Sequence, residues 1–236
     1  MTTYKEISGK QVKNYSSDPA NDAEGQVWYN STSGTFKSVL SVGAWSAGGN
    51  LITQIYATAG AGASTQSAGL GFGGYSALPS TRTNSTEEYN GSGWASGGNL
   101  INSPASGNGA GTQTAGLAFG GAIPPGTVNT DVSQEYDGSS WTAGGTMNTG
   151  RYRHDAFGIQ TSAIAFGGYT PPPEQVLVEE YDGTSWTSTT NLPAGISYGA
   201  GAGTNPAGLA WGGPLTSASY EWTGAGVALT KTITVS

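Results

Sequence analysis

Cysteine is absent from this chain, histidine occurs once, and charged residues make up only 10% of its 236 positions. The first absence excludes disulfides and thiolate metal sites. Basic residues are scarce as well: 8 Lys and Arg stand against 15 Asp and Glu, a formal charge of −7. With no basic footprint for a phosphate backbone, nucleic acid is not an expected partner. No stretch approaches 18 apolar residues, and Met1-Thr2-Thr3-Tyr4-Lys5-Glu6 runs into polar sequence without a hydrophobic core segment. Neither a membrane span nor a signal peptide is expected.

What the chain does hold is 40 Gly together with 7 Trp, 12 Tyr and 5 Phe. The aromatics recur at fixed positions, which argues for order rather than Gly-rich disorder. Four near-copies of one apolar run each end in a glycine pair: Leu70-Gly71-Phe72-Gly73-Gly74, Leu117-Ala118-Phe119-Gly120-Gly121, Ile164-Ala165-Phe166-Gly167-Gly168 and Leu209-Ala210-Trp211-Gly212-Gly213. Their second glycines lie 47, 47 and 45 residues apart. A tandem array with that period and a strand-like centre predicts an all-β propeller of four blades.

A second landmark reads Tyr89-Asn90-Gly91-Ser92-Gly93-Trp94, Tyr136-Asp137-Gly138-Ser139-Ser140-Trp141 and Tyr181-Asp182-Gly183-Thr184-Ser185-Trp186. Asn-Gly or Asp-Gly between strand-like flanks signals a hairpin. A two-residue turn pairs Tyr136 with Ser139, and a four-residue loop pairs Tyr136 with Trp141. Either register places Tyr and Trp on one face, whereas a three-residue loop separates them. In the apolar runs Leu117 and Phe119 share a face while Ala118 points away, and the other copies follow. Expected strands in the first blade are 57–64, 67–73, 84–90 and 93–97.

Leu51, Leu100, Met147 and Leu192 each follow a Trp by six residues, so Trp45 is in register with the array. The last unit has Gly212-Gly213 but no Asp-Gly hairpin after Tyr220-Glu221-Trp222. A strand around Val42 to Ala47 is therefore expected to complete the sheet of residues 197–222 and close the ring, removing exposed edges. Residues 41–236 form the propeller on this reading. Residues 1–40, with a hairpin through Trp28, Tyr29 and Phe36, form an attachment segment, unless that hairpin pairs with Val227 to Val235 as a partial fifth blade.

An apolar run ending in Gly-Gly, then a spaced Tyr and Trp, resembles the kelch repeat over residues 42–222. The wording Ala-Gly-Thr-Gln-Thr-Ala-Gly-Leu-Ala-Phe-Gly-Gly followed by Glu-Tyr-Asp-Gly-Ser-Ser-Trp-Thr, with Asp18-Pro19 through Gly34, is similar to kelch-like virion and tail-fibre proteins of tailed, marine cyanobacterial bacteriophages. The resemblance implies a structural, non-enzymatic component of a phage particle, oligomeric, located in the virion and bound to other virion proteins. The alternative it implies is a module recognising a host surface glycan.

Residue chemistry points the same way, because no converging set of titratable groups is present. Arg151-Tyr152-Arg153-His154-Asp155 reads either as a charged aromatic patch for a sugar or carboxylate, or as an Arg–Asp surface pair with a solvated His. Glu87-Glu88, Gln134-Glu135 and Glu179-Glu180 alternate across a strand, so neighbouring carboxylates do not work as a pair. Asp137-Gly138-Ser139 lacks the alternating ligands of a calcium loop. The Gly-rich runs precede no helix that would cradle a phosphate. No metal or cofactor is expected. The Pro-stiffened connections, with Tyr75, Ile123 and Tyr169, join Arg151, Tyr152, Arg153 and His154 as the candidate partner surface.

Overall fold

The computed structural model describes residues 12–19, 26–38, 45–77, 81–123, 128–170, 174–213 and 217–224. Two compact units divide the chain, Met1–Ala47 and Gly48–Ser236. In the first, β1 (Lys13–Tyr15) runs parallel to β2 (Val27–Asn30), which pairs antiparallel with β3 (Thr35–Ser38). Asp18 ties this sheet together: it accepts hydrogen bonds from Trp28 Nε1 and Asn30 Nδ2 and pairs with Lys37. Trp28 is buried, whereas Phe36 is exposed with its ring against Tyr29.

The second unit begins with β4 (Ile55–Tyr56), β5 (Ala59–Gly60), β6 (Gly69–Phe72), β7 (Tyr75–Ser76), β8 (Thr81–Arg82), β9 (Thr86–Tyr89) and β10 (Trp94–Ser96). It continues through β11 (Asn108–Thr112), β12 (Ala115–Phe119), β13 (Ala122–Ile123), β14 (Val128–Asn129), β15 (Ser133–Tyr136) and β16 (Trp141–Ala143). Then come β17 (Asp155–Ile159), β18 (Ser162–Phe166), β19 (Val178–Tyr181), β20 (Trp186–Ser188), β21 (Gly199–Thr204), β22 (Ala207–Gly212) and β23 (Ser219–Thr223). Four main sheets follow the repeat: β10-β9-β6-β5, β11-β12-β15-β16, β17-β18-β19-β20 and the three-stranded β21-β22-β23. Small sheet β4-β7-β8 takes its strands from just before the first main sheet and from the β6–β9 connection within it, and β13-β14 from the β12–β15 connection within the second; with β1-β2-β3 the described residues form seven sheets and no helix.

The hairpin register is the four-residue one: Tyr89 faces Trp94, Tyr136 faces Trp141 and Tyr181 faces Trp186, with ring centroids 4.9–5.2 Å apart. The loop closes on itself. Asp137 Oδ1 accepts from the N–H groups of Ser139 and Ser140 and from the Ser139 hydroxyl, while Gly138 adopts φ +91°. These donors, the Ser140 N–H first, hold the Asp137 carboxyl down to about 2. Asn90 makes the corresponding bonds to Ser92 and Gly93 with its amide oxygen. The loop therefore forms around a neutral acceptor oxygen as well as a charged one, although its donors favour the charge. Asp137→Asn is expected to lower the urea unfolding midpoint slightly, and Asp137→Ala to lower it more.

The first three glycine pairs tie each repeat to the next. Gly120 and Gly121 lie at φ +61° and +97°, conformations in which a side chain is strained. The Gly121 N–H reaches the Arg151 carbonyl in the next repeat, as Gly74 reaches Pro104 and Gly168 reaches Ile196. The core lies between sheets. Large residues of one sheet, Leu70 and Phe72, enter the face of the next at Gly116 and Gly109, where a Cβ would lie 2.7 and 2.5 Å from their side chains. Leu117 and Phe119 pack on Ala156, Ala163 and Ala165, and Phe157 and Phe166 on Gly208 and Gly201.

The four sheets therefore form a row, but not the expected ring. Inter-sheet contact runs from β5 to β11 to β17 to β21, and no comparable contact brings β21 back to β5. The fourth sheet has no fourth strand among the described residues, and Trp45, expected in that place, is fully exposed. Residues 42–44 and 227–235, which carry the rest of the closing strand and the fifth-blade segment, lie outside the described residues. The closed four-bladed kelch-like propeller is thus corrected to an open row. The physical reason is that a repeat encodes the joint between neighbours, whereas closure depends on rotation accumulated over all joints, which no local spacing specifies.

Candidate functional site

One residue before or near the first strand of every main sheet takes a left-handed backbone without being glycine: Ala57, Ser106, Arg153 and Tyr198, at φ 51–59°. Their backbones form a ladder across the sheets: Ser106 N–H donates to Ala57 O, Arg153 N–H to Ser106 O and Tyr198 N–H to Arg153 O. Because the strained conformation repeats at all four positions, it belongs to the architecture. The side chains mounted on it are what differ.

Arg153 projects from this ladder into a tyrosine cage. Its guanidinium carbon lies 4.5 Å from the Tyr198 ring centre, 4.7 Å from Tyr152 and 5.9 Å from Tyr169. Tyr152 and Tyr169 meet edge to face at 5.7 Å and are joined by a backbone bridge. Arg153 has no carboxylate partner among the described residues. Its three tyrosines hold the cation by their ring faces and leave its fork of donors for something else. Tyr198 is 61% exposed, so the cage opens to solvent. The first repeat carries a related cluster, where Tyr56 stacks on Tyr75 at 5.3 Å and Arg82 lies 5.5 Å over Tyr75. The intervening repeat places Ala105 and Ala122 at the bridge instead, both buried. Ile123 is half-buried in the β13–β14 ribbon.

The remaining candidates point inward. Arg151 is fully buried and paired with Glu179 at 2.5 Å, not with Asp155. Burial pushes its pKa down, against the pull of Glu179. His154 is buried against the Phe119 ring, 5.3 Å away, and neither ring nitrogen has a sound hydrogen-bond partner among the described residues. Burial first, and the Arg151 charge second, push its pKa down to about 3, so the ring is neutral. The sequence cluster Arg151-Tyr152-Arg153-His154 thus splits by position: two side chains go to the core and two to the cage.

The carboxylates are likewise engaged within the fold. Glu87 accepts the N–H groups of Ile52 and Thr53, Gln134 that of Ile101, and Glu179 that of Asn148. Their neighbours Glu88 and Glu135 accept the hydroxyls of Tyr136 and Tyr181 from the following sheet. Burial, then the Glu88 contact, pushes the Tyr136 pKa up to about 12. No group of three or more metal-ligating side chains occurs among the described residues.

Sequence reading alone passed over Tyr56 and Tyr198. Repeat spacing marks Tyr198, which lies 45 residues after Arg153, the same interval as between the last two glycine pairs. Tyr56 precedes Tyr75 by 19 residues much as Tyr152 precedes Tyr169 by 17.

No protein-family model matches the chain, and no curated protein matches it. With the ring open and no relative to support it, the resemblance to kelch-repeat propellers is set aside, and with it the identification as a phage virion or tail-fibre protein.

Proposed function

We propose that this protein is a non-catalytic attachment module that binds a protein partner through the Arg153 cage, with a partner carboxylate as the group recognised. The observation that carries the reading is a half-buried guanidinium held by tyrosine faces, beside the exposed Tyr198, with no partner for its donors among the described residues. Arginine and tyrosine are the residues that concentrate binding energy at interfaces. Engagement of the interior acids and of Arg151 in structural bonds supports a role without catalysis. Recognition of an acidic sugar is the second reading, favoured by the flat Tyr56–Tyr75 stack, a platform of the kind sugar rings use.

The test is photocrosslinking from a benzoyl-phenylalanine placed at position 198, carried out in cells that naturally make the protein. A discrete protein adduct that Arg153→Ala weakens about tenfold or more is expected. If no protein is captured and the purified chain instead binds uronate-containing oligosaccharides in an Arg153-dependent way, the sugar reading replaces it.

A further inference from the structure

The two ends of the row are complementary surfaces of one repeated joint. In the second and third sheets the small-residue face is filled by rings and branched side chains of the sheet before it, at Gly109, Gly116 and Ala163. In the first sheet the corresponding Gly60, Gly69 and Gly71 would meet, among the described residues, only atoms of their own sheet, from Leu70, Tyr89 and Trp94. At the other end the fourth sheet presents Leu209, 39% exposed, and Trp211, 38% exposed. Their counterparts Leu70, Leu117 and Ile164, and Phe72, Phe119 and Phe166, are all buried under a following sheet. One end therefore lacks its knobs and the other lacks its holes.

Polar groups match in the same register. At the first joint Trp141 Nε1 donates to Thr86, Tyr136 to Glu88, and Gln113 Nε2 to the carbonyls of Gly69 and Tyr89. At the second, Trp186 donates to Ser133, Tyr181 to Glu135, and Gln160 to the carbonyls of Gly116 and Tyr136. One repeat earlier the donors are Trp94, Tyr89 and Gln66; on the last sheet the matching acceptors are Ser219, Glu221 and the carbonyls of Gly208 and Trp222. Gln66 is exposed and Trp94 only half-buried, unlike Trp141 and Trp186.

The missing strand fits too. Gly48 and Gly49 sit against Tyr89 and Ser92 as Gly97 and Gly98 sit against Tyr136 and Ser139. Trp45, three residues upstream of Gly48 as Trp94 is of Gly97, thus holds the sequence position of a fourth-strand Trp in a sheet that would precede the first. Phe72 and Phe119 each hold such a Trp at 4.9 Å. Phe166 holds no fourth-strand Trp among the described residues; beside it is a cavity of about 500 Å³ lined by Ile164, Val178, Leu192 and Trp222, which packs against the same cluster from the third strand.

We infer that a second copy of this chain supplies what each end lacks. The first sheet of one copy docks on the Leu209–Trp211 face of another, and its residues 45–47, the counterparts of Trp94–Ser96, become the fourth strand beside β23, with the Trp45 indole in the cavity against Phe166. The contact is head to tail, so it propagates or closes into a ring of copies. It is independent of the Arg153 cage.

Sedimentation velocity of the full chain over a wide concentration range tests this. Wild type is expected to form multiples of the 23.8 kDa chain. Gly71→Arg blocks one end and Leu209→Arg the other, so each variant alone is expected to be monomeric. An equimolar mixture of the two should give a 1:1 dimer, because the unblocked ends are complementary. Trp45→Ala should weaken association about 30-fold, the size of a hot-spot tryptophan. Gln66→Ala, on an exposed side chain, weakens it without touching the core and covers any folding failure of the arginine variants. A chain ending at Gly224 should still associate. Wild type that stays monomeric, a mixture that yields no dimer, or association lost on removing residues 225–236 would overturn the inference.

Discussion

Arg151→Ala is expected to cost the fold about 3–5 kcal/mol, because it strands the Glu179 carboxylate in the core. Glu179 is buried, and Arg151 Nη1 is its cationic partner; the other oxygen keeps only the Asn148 N–H. The sister repeats show two alternatives: Glu87 keeps its buried carboxylate on two backbone N–H groups, those of Ile52 and Thr53, where Glu179 would be left with the Asn148 N–H, and the second repeat carries no charge. Gln134 does the work of Glu179 as a neutral amide, and Pro104 and Ile196 occupy the place of Arg151, each offering its carbonyl to a glycine-pair N–H. A double substitution, Arg151→Ile with Glu179→Gln, copies the neutral solution and removes both buried charges. It is expected to restore at least half of the lost stability, since an apolar pair often replaces a buried ion pair without penalty. Urea unfolding of wild type, single and double variants measures this. A single variant within 1 kcal/mol of wild type, or a double variant as weak as the single, would show that the pair does not hold the third sheet to its neighbours.

The same repeat logic marks where sequence was informative. Tyr-to-Trp spacing of five, alternation in the apolar runs and paired glycines each constrain one turn or strand, and the strands stand inside the expected intervals: Gly69–Phe72 within 67–73, Thr86–Tyr89 within 84–90 and Trp94–Ser96 within 93–97. Closure was not legible, because Trp45 in register with Trp94 says which sheet type it completes and not whose. Nor does Arg151-Tyr152-Arg153-His154 itself separate a core arginine from a surface one. Alignment of the repeats does: Arg151 falls with the half-buried Pro104 and the buried Ile196, each giving its carbonyl to a glycine-pair N–H, and Arg153 with Ser106 and Tyr198 on the ladder. Glu179, 28 residues from Arg151, had no local signal beyond its place before a repeated Glu-Tyr.

Two adjacent groups, His154 buried and Asp155 half-buried, make opposite contributions to the acid response of the fold. His154, with its pKa near 3 in the fold against 6.5 when exposed, stays neutral inside. As pH falls below 6.5 the unfolded chain gains a proton that the fold refuses, so stability drops until about pH 3, by on the order of 3–5 kcal/mol in all. Asp155 works in the opposite sense. Burial raises its pKa from 3.8 to about 6, against the hydrogen bonds from the Ala156 N–H and Asn108. Between those values the fold holds a proton that the unfolded chain has released, so stability rises as pH falls through that window, by roughly 2–3 kcal/mol. From pH 6 to 4 the two contributions oppose each other, one proton against one. Asp137, held to about 2, adds its own loss below about pH 4, and Asp182 and Asp18, both held below the usual carboxylate range by hydrogen bonds, add theirs in the same direction. Separating the pair exposes each slope: Asp155→Asn should lose stability steadily on acidification from pH 6.5, and His154→Leu should gain it from pH 6 to 4. Urea unfolding at half-unit pH intervals reads both. Parallel profiles for wild type and the two variants would mean that neither group titrates differently in the fold, and that the His154 ring is solvated rather than sealed against Phe119.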